Sequence, residues 1–593
     1  MIYATIDIES TGLNRFTDEI TCIGIGLSHS IQDSKFFKEY IIDMDEKGAV
    51  DKLLKIIKKL RAKRAKCIWQ NGKFDTLFIE WKYGPEFKLP ISEDIMLMGT
   101  VYDLAAEHGL KKMAWNYLRV PDWDISKSDK LLSKKKKKGQ AEEEYQAELR
   151  EIKRQTLFPY LRKDYKYTWQ LFRFFSRNLT EQQWALYKKL LMPAYRMYRD
   201  AERTGIYIDL PEFKKVKKKY KLEERRLLGE LTSRYDINWN SSAQKAKVLF
   251  TDEDGEQLPI LKTTSKGAPS SDASTLKKLA AKGYEIPQLM LEYSGISTRN
   301  KMFLNRWGED ASYDGRLHPS FNLTNVVSGR TSCTNPNLQQ VPRTYDIRSL
   351  FHAPEGRCFF EADYSQLELR IAAHYANEPT MLRIYRENGD IHTETAKLMT
   401  GGREPTKEER SKAKAVNFGF LYGMGAKKFV EYAFDSYGVI FTLPEAEKFR
   451  ELFFAKYSRL LPWHEEQRHL AEALGGVPNM FGRFRKLPNI YSDNWSEKGG
   501  AERRSINTPV QGTGSDILLS AAIQVKKELE PYGLKIVGTV HDSILGEFPE
   551  ENADWFQSEI RRIMIHPTLL DEFGVELRCP LDCDVGVGPW GTH

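Results

Sequence analysis

The stretch KIVGTVHDSILGEF, residues 535–548, constrains this chain more than any other. Two apolar, β-branched runs flank His541-Asp542-Ser543, and each run alone reads as a buried strand. An ionisable pair stands between them where a core would take Val or Ile. A carboxylate buried without a partner costs several kcal/mol, so Asp542 calls for a cation, a metal ion or water.

The 593 residues are enough for several domains, and with 41% hydrophobic residues each can have a sizeable core. The N-terminal MIYATIDIEST meets acidic residues at once and does not read as a signal peptide. No apolar run reaches the ~18 residues that would span a bilayer, so no membrane partner is expected. Six scattered cysteines (Cys22, Cys67, Cys333, Cys358, Cys579, Cys583) suit a reduced, cytoplasmic chain. Cys579 and Cys583 in CPLDC could be half a zinc site, but no second Cys/His pair follows. A net charge of +8 leaves nucleic acid as one option among several partners.

The first segment, to about residue 180, alternates strand-like runs such as CIGIGLSHS with amphipathic stretches such as DKLLKIIKKLRAK, which suggests an α/β domain. It contains the lysine run Lys134–Lys138, either a solvated insertion or a contact for a phosphate backbone. From about 181 to 310 the pattern is mostly helical, with Ser241 or Ser242 placed to cap a helix. The remainder mixes strands with long helices, and there is no internal repeat.

In YATIDIEST, period-two alternation puts Asp7 and Glu9 on one face of a strand and Ile6 and Ile8 on the other. Asn71 and Asp75 in WQNGKFDTLF, and Tyr160 and Asp164 in FPYLRKDYKYTW, are spaced so that each pair can share one helical face. Asp7, Glu9, Asp75 and Asp164 can then converge with a phenol. Such a set suits two divalent ions about 4 Å apart in phosphodiester cleavage, with Tyr160 orienting or helping to deprotonate the attacking water. The order D-x-E, N-x-x-x-D, Y-x-x-x-D resembles the DEDD family of 3′→5′ exonucleases, tyrosine subtype.

Two more constellations follow. In FFEADYSQLELRIAAHYA, Asp363 ends an apolar strand and Gln366, Glu368 and Arg370 follow it. In EERSKAKAVNFGFLYGMG, Arg410, Lys414, Phe418 and Tyr422 are four apart and form one slanting helical stripe, cationic then aromatic. That stripe is either a basic turn running into a core-facing aromatic turn or a surface that grips a triphosphate and stacks a base. No GK[ST] follows the glycines, so there is no Walker loop.

DYSQLELR, RSKAKAVNFGFLYG and VHDS, in this order, look like motifs A, B and C of the family A DNA polymerases, the group of bacterial DNA polymerase I and its phage relatives. SGRTSCTNPNLQQVP, GDIHTETA and AERRSINTPVQGTGSDI agree, and with the exonuclease motifs the resemblance covers nearly the whole chain. It implies an α/β and α+β multidomain fold: an RNase H-like 3′→5′ exonuclease domain over 1–180, then a right-hand polymerase domain over 181–593. The thumb would run about 206–315 and the fingers about 376–490, with the palm built from the remaining segments.

The resemblance further implies that Asp363, Asp542 and the carbonyl of Tyr364 hold two Mg²⁺ ions, with Mn²⁺ able to substitute. VHDS would be a hairpin turn lifting Asp542 toward Asp363. Asp7, Glu9, Asp75 and Asp164 would hold the exonuclease metals, with Tyr160 catalytic and Asn71 on the DNA strand. Arg410, Lys414 and His392 would bind the incoming triphosphate, Lys414 being a candidate proton donor to pyrophosphate. Gln366 and Phe418 would complete the nucleotide site, and Glu368 and Tyr422 would exclude a ribose 2′-hydroxyl. Phe418 stands where the family has Phe or Tyr, and Phe implies discrimination against dideoxynucleotides. Arg330, Asn507, Gln511 and Arg503 would contact primer-template DNA. The partners are then DNA and dNTPs, and the chain is expected to be a monomer in the cytoplasm of a bacterium or a phage-infected host.

Ser543 departs from the family, which usually has Glu after the motif C aspartate, so metal binding rests more heavily on Asp363 and Asp542. Residues 205–310 show no large insertion of the kind phage relatives use to recruit a processivity partner, which argues against a thioredoxin-type subunit. The competing readings are a mainly 3′→5′ nuclease, a non-catalytic nucleic-acid-binding protein and a single-subunit RNA polymerase. Glu368 and the attached exonuclease speak against the last.

Overall fold

In the first half of the chain, β1 (Tyr3–Ser10), β2 (Ile20–Ser28), β3 (Lys38–Asp43), β4 (Lys66–Trp69) and β5 (Glu93–Asp94) form one sheet. Their order is β3-β2-β1-β4-β5, antiparallel on the β2 side and parallel on the β4 side. The computed structural model describes residues 1–123, 144, 145, 148 and 151–591, so the run Lys134–Lys138 lies outside the described residues. In the second half of β1, Ile6 and Ile8 are buried while Asp7 and Glu9 stay partly open. Helix α1 (Gly72–Tyr83) follows β4, and the long helix α2 (Phe158–Asn178) packs on the sheet. α2 buries Leu161, Tyr165, Trp169, Phe172 and Phe175 at three- and four-residue spacing. Gly24 of β2 permits this approach, because a Cβ there would come within 2.6 Å of the Tyr165 ring.

Helix α3 (Met192–Thr204) joins this unit to the rest through a buried ionic seam. Lys73 of α1 pairs with Glu202 of α3 and donates to the Phe321 carbonyl, and Arg199 of α3 pairs with Glu80 of α1. The Phe321 N–H donates to the same Glu202 carboxylate at 2.7 Å. Buried pairs add little net stability, but stripping one partner leaves an uncompensated charge at about 3–5 kcal/mol.

Helix α4 (Leu210–Arg234) starts at Asp209, whose side chain accepts the Glu212 N–H at 2.9 Å. Ser241, not Ser242, caps the helix Ser242–Phe250. With α5 (Glu285–Arg299) these helices close a separate core around Leu231, Trp239, Leu249, Leu279 and Met290.

The last half is built on β6 (Arg357–Tyr364), followed by α6 (Leu367–Ala376), α7 (Ile391–Met399) and α8 (Lys407–Leu421). The 35-residue helix α9 (Trp495–Leu529) leads into β7 (Lys535–Val540), β8 (Ser543–Pro549) and, at the end, β9 (Cys583–Val587). The sheet order is β7-β8-β6-β9 with every pair antiparallel. Both apolar runs of KIVGTVHDSILGEF are therefore strands, and His541-Asp542 is the two-residue loop between them. His541 takes the left-handed φ of 55° that such a tight hairpin demands of its first loop residue. Phe360, Phe548 and Phe556 stack in series beneath the sheet.

Among the described residues the CPLDC cysteines belong to no group of three or more metal-ligating side chains. Cys579 donates to the Arg370 carbonyl at 3.4 Å, and burial pushes its thiol up to about 11 and that of Cys583 to about 12. Among the described residues no helix is long and apolar enough to cross a membrane.

Candidate active sites

The first site lies where β1 meets α2. β1 presents Asp7 and Glu9, and α2 presents Asp164, so that one carboxylate oxygen from each lies within 4.8 Å of the others. Trp123 Nε1 donates to Asp164 Oδ1 at 2.5 Å and Tyr160 bonds to the same carboxylate. Lys111 sits 5.1 Å above the Tyr160 ring. Burial, then Asp164, Asp75 and Glu9, push the Asp7 carboxyl well above its usual range. Asp164 is pushed up to about 7 and Asp75 to about 8, in both cases chiefly by burial. Crowded, partly buried oxygens that disfavour their own ionisation are what a divalent cation relieves, and the all-oxygen donor set suits a hard ion.

Two residues of this site sit differently from the sequence expectation. Asp75 is not one of the three carboxylates grouped within 4.8 Å; its Oδ1 accepts the Ile8 N–H at 3.2 Å and its charge adds to the rise at Asp7. Asn71 does not share a helical face with Asp75. It precedes α1 with a left-handed φ of 58°, and its Oδ1 accepts from the Tyr195 hydroxyl at 3.3 Å.

The second site is at the end of β6. Asp363 is exposed at the strand end, and the Tyr364 N–H donates to the Asp542 carbonyl at 3.3 Å, tying the hairpin loop to this strand. The Tyr364 side chain turns away and donates to the Met564 carbonyl at 2.8 Å. Ser543 stands opposite Asp363 on β8, and Asp584 stands opposite it on β9. Asp542 is pushed up to about 6 by burial, then by Glu368, with Arg330 pulling it down and Asp363 raising it again. Asp363 is raised too, first by desolvation of its carboxyl among its neighbours and then by Glu361, against the lowering effect of the Ser543 hydroxyl. No cation lies within 4.0 Å of Asp542 among the described residues, so its partner is not an internal ion pair. Two raised carboxylates, one at the end of β6 and one in the hairpin loop tied to it, fit a divalent ion here as well.

Helix α8 carries Arg410, Lys414 and Phe418 on one partly exposed stripe that ends at Tyr422, while Ala413, Asn417 and Leu421 face inward. Both ends of this stripe are tied to the residues just after Asp363. Arg410 Nε donates to Asp390 Oδ2 at 2.6 Å, and Gln366 Nε2 donates to Asp390 Oδ1 at 3.1 Å. Tyr422 donates to Glu368 Oε2 at 2.6 Å, and Arg330 holds the other oxygen of that carboxylate.

Two of the expected nucleotide-site residues are engaged within the protein. Gln366 has both amide ends engaged, since its Oε1 accepts the Tyr385 hydroxyl at 3.2 Å while its Nε2 donates to Asp390. His392 is buried, 3% exposed, with Nδ1 bonded to Asn417 Nδ2 at 2.8 Å. The Thr395 hydroxyl donates to Asn417 Oδ1 at 2.8 Å, which fixes that amide as donor to the ring and leaves the imidazole proton on Nε2. Burial, with Lys414 and Arg410, holds His392 down at about 4 despite Asp390.

Arg503, Asn507 and Gln511 follow one another at four-residue spacing along α9. The helix docks on the loop that carries Arg330, where Ser515 donates to the Gly329 carbonyl at 3.0 Å. Three residues at these sites were not singled out from the sequence: Trp123, Asp390 and Glu361. Asp390 had a local signal, because it precedes His392 in GDIH and caps α7. The other two act across the fold.

The architecture defines the class. The chain superposes on a structure titled as the POL domain of Pol1 from M. smegmatis in complex with DNA primer-template and dNTP, at a TM-score of 0.80 and 22% identity, covering 100% of this chain and 95% of that one. Its fold is that of a polymerase domain. The model of DNA polymerase family A matches residues 211–592, and that of a 3′-5′ exonuclease matches residues 3–180. The chain therefore belongs to DNA polymerase family A, with an exonuclease domain in front. It is 34% identical over 429 residues to the thermostable DNA polymerase I of Thermus filiformis, covering 71% of this chain and 50% of that protein. It is 26% identical to the DNA polymerase of Bacillus phage SP01, covering 96% of this chain and 69% of that one. The chain thus spans half the length of the Thermus relative.

Proposed function

We propose that this chain extends the 3′ end of a primer on a DNA template with deoxynucleoside triphosphates, and removes mispaired 3′ nucleotides at its N-terminal site. The observation that carries this reading is the double tie of α8 to the segment after Asp363: Arg410 through Asp390 to Gln366, and Tyr422 to Glu368. A cationic-then-aromatic stripe is thereby fixed beside a pair of strand-end carboxylates, the arrangement needed to hold a triphosphate against a primer end.

Asp363 and Asp542 would hold Mg²⁺ in the polymerase site, and Asp7, Glu9 and Asp164 in the exonuclease site, with Asp75 supporting Asp7. Such ions would acidify the attacking hydroxyl or water and neutralise the leaving group. Arg410 and Lys414 grip the phosphates, and Lys414 is placed to return a proton to pyrophosphate. Phe418 lies under the base and sugar. His392 would offer its Nε2 proton to the same phosphates. Glu368 and Tyr422 close the pocket where a 2′-hydroxyl would sit. Arg330, Asn507, Gln511 and Arg503 follow the primer-template, with α4 and α5 in the thumb and α7 and α8 in the fingers. Tyr160, bonded to Asp164, orients the water in the exonuclease, and Trp123 holds Asp164 for both.

Extension of a matched, labelled primer with Mg²⁺ and dNTPs tests the reading. Asp363→Asn and Asp542→Asn should each abolish extension while leaving 3′ shortening in place. Extension that persisted in either variant would show that the polymerase carboxylates are misassigned.

A further inference from the structure

Ser543 occupies the position after Asp542, and its hydroxyl donates to Asp363 Oδ1 at 2.9 Å, with Glu361 Oε1 at 3.3 Å on its other side. Glu361 lies two residues before Asp363 on β6, hence on the same face of the sheet. Its cross-strand neighbours are Leu545 and Gly586, whose side chains offer no hydrogen bond, so its carboxylate turns along the strand toward Ser543. The Glu361 side chain is 19% exposed, and Arg348 Nη1 stands 3.9 Å from its Oε1. Arg348 is itself fixed, its guanidinium 4.5 Å above the centre of the buried Trp590 ring.

A serine hydroxyl has one proton, and the shorter contact gives it to Asp363. Glu361 therefore sits against the hydroxyl as a second carboxylate, with the longer hydroxyl contact on one side and the Arg348 charge on the other. We propose that Glu361, steadied by Arg348 and linked to Asp363 through the Ser543 hydroxyl, is a positioning residue for the polymerase site, and that it places on β6 the third carboxylate that Ser543 leaves absent from β8. It holds the Asp363 carboxylate in one orientation and adds negative charge beside a divalent cation. The inference rests on the polymerase reading of Asp363 and Asp542.

The test uses the full chain carrying D7N and D164N, so that only the polymerase site takes metal. Mn²⁺ binding is read by electron paramagnetic resonance in a complex with dideoxy-terminated primer-template and the next dNTP, and the Mg²⁺ dependence of extension is read in parallel. E361Q and S543A should each weaken Mn²⁺ binding about ten-fold, the usual cost of losing a group that orients a metal ligand. Their combination should cost no more than either alone. The relocated pair E361S/S543E should regain most of the lost affinity, because the carboxylate returns beside Asp363 from the facing strand. In the chain with its exonuclease residues intact, E361Q should shorten 3′ ends at the unchanged rate, which separates a metal effect from misfolding. Unchanged Mn²⁺ affinity in E361Q, or no recovery in E361S/S543E over E361S, overturns the proposal. If the parent chain with Glu361 in place neither extends nor binds Mn²⁺ in this complex, the polymerase reading itself has failed, and the proposal with it.

Discussion

Tyr422 donates its phenol proton to Glu368 Oε2 at 2.6 Å, and Arg330 engages the opposite oxygen. The three side chains link α8 to the segment after Asp363. Glu368→Ala removes the anchor and opens space where a 2′-hydroxyl would sit. The expected outcome is a rise of roughly ten- to a hundred-fold in the ratio of ribo- to deoxynucleotide kcat/KM, measured with single nucleotides on one template. An unchanged ratio would place the sugar elsewhere.

Asp390 has three tasks: it caps α7 through the His392 and Thr393 N–H groups, receives Gln366, and aims Arg410. Asp390→Asn keeps a capping oxygen but removes the charge that holds the guanidinium. The dNTP KM should rise by roughly five- to ten-fold with a smaller change in kcat, since Arg410 would act on ground-state binding. Single-nucleotide kinetics check this directly.

Two buried histidines each withdraw stability as the pH falls. His392 and His464 are each held at about 4, against an ordinary value of 6.5, chiefly by burial. Around His392 stand Asp390, Lys414 and Arg410, and around His464 stand Glu465, Arg468 and Arg450. Below pH 6.5 the unfolded chain binds these protons and the folded chain does not, so stability is lost as pH falls from 6.5 to 4. Each residue contributes about 2–3 kcal/mol to that loss. The raised carboxylates Asp7, Asp75, Asp164 and Asp542 act in the opposite direction over the same range, so the histidine effect is read by comparison: in denaturant unfolding at pH 7 and pH 5, the change in stability should favour the fold by about 2 kcal/mol more in His464→Gln than in the parent.

Lys73 is one of two cations in the buried seam between α1 and α3, Arg199 being the other. Lys73→Met leaves Glu202 buried with only the Phe321 N–H, at a cost of about 3–5 kcal/mol. Calorimetry should then resolve the N-terminal unit as a separate, earlier transition. A single transition at the parent temperature would show that the seam does not join the two units.

Much of this was legible in local pattern. Asp7 and Glu9 could be assigned to one strand face because a strand has period two, and the Arg410–Tyr422 stripe could be drawn because a helix returns every 3.6 residues. The strand pair around His541-Asp542 was readable from its β-branched runs. What escaped depends on backbone conformation or on distant chain segments. Asn71 breaks its four-residue spacing because its backbone is left-handed, which no side-chain pattern signals. Gln366 is likewise left-handed, with φ at 56°, and turns into the protein toward Tyr385 and Asp390. Trp123 reaches Asp164 across 41 residues, and Ser543 reaches Glu361 across 182. Such pairs follow from sheet register and packing.

The most direct test of two cooperating sites uses a labelled primer with a mismatched 3′ nucleotide, annealed to template with Mg²⁺, in the presence and absence of dNTPs. The account predicts shortening without dNTPs and full extension with them. Asp164→Asn should block the shortening and leave the mismatch in place. Shortening that is never followed by extension, even on a matched primer, would contradict the polymerase assignment of Asp363 and Asp542.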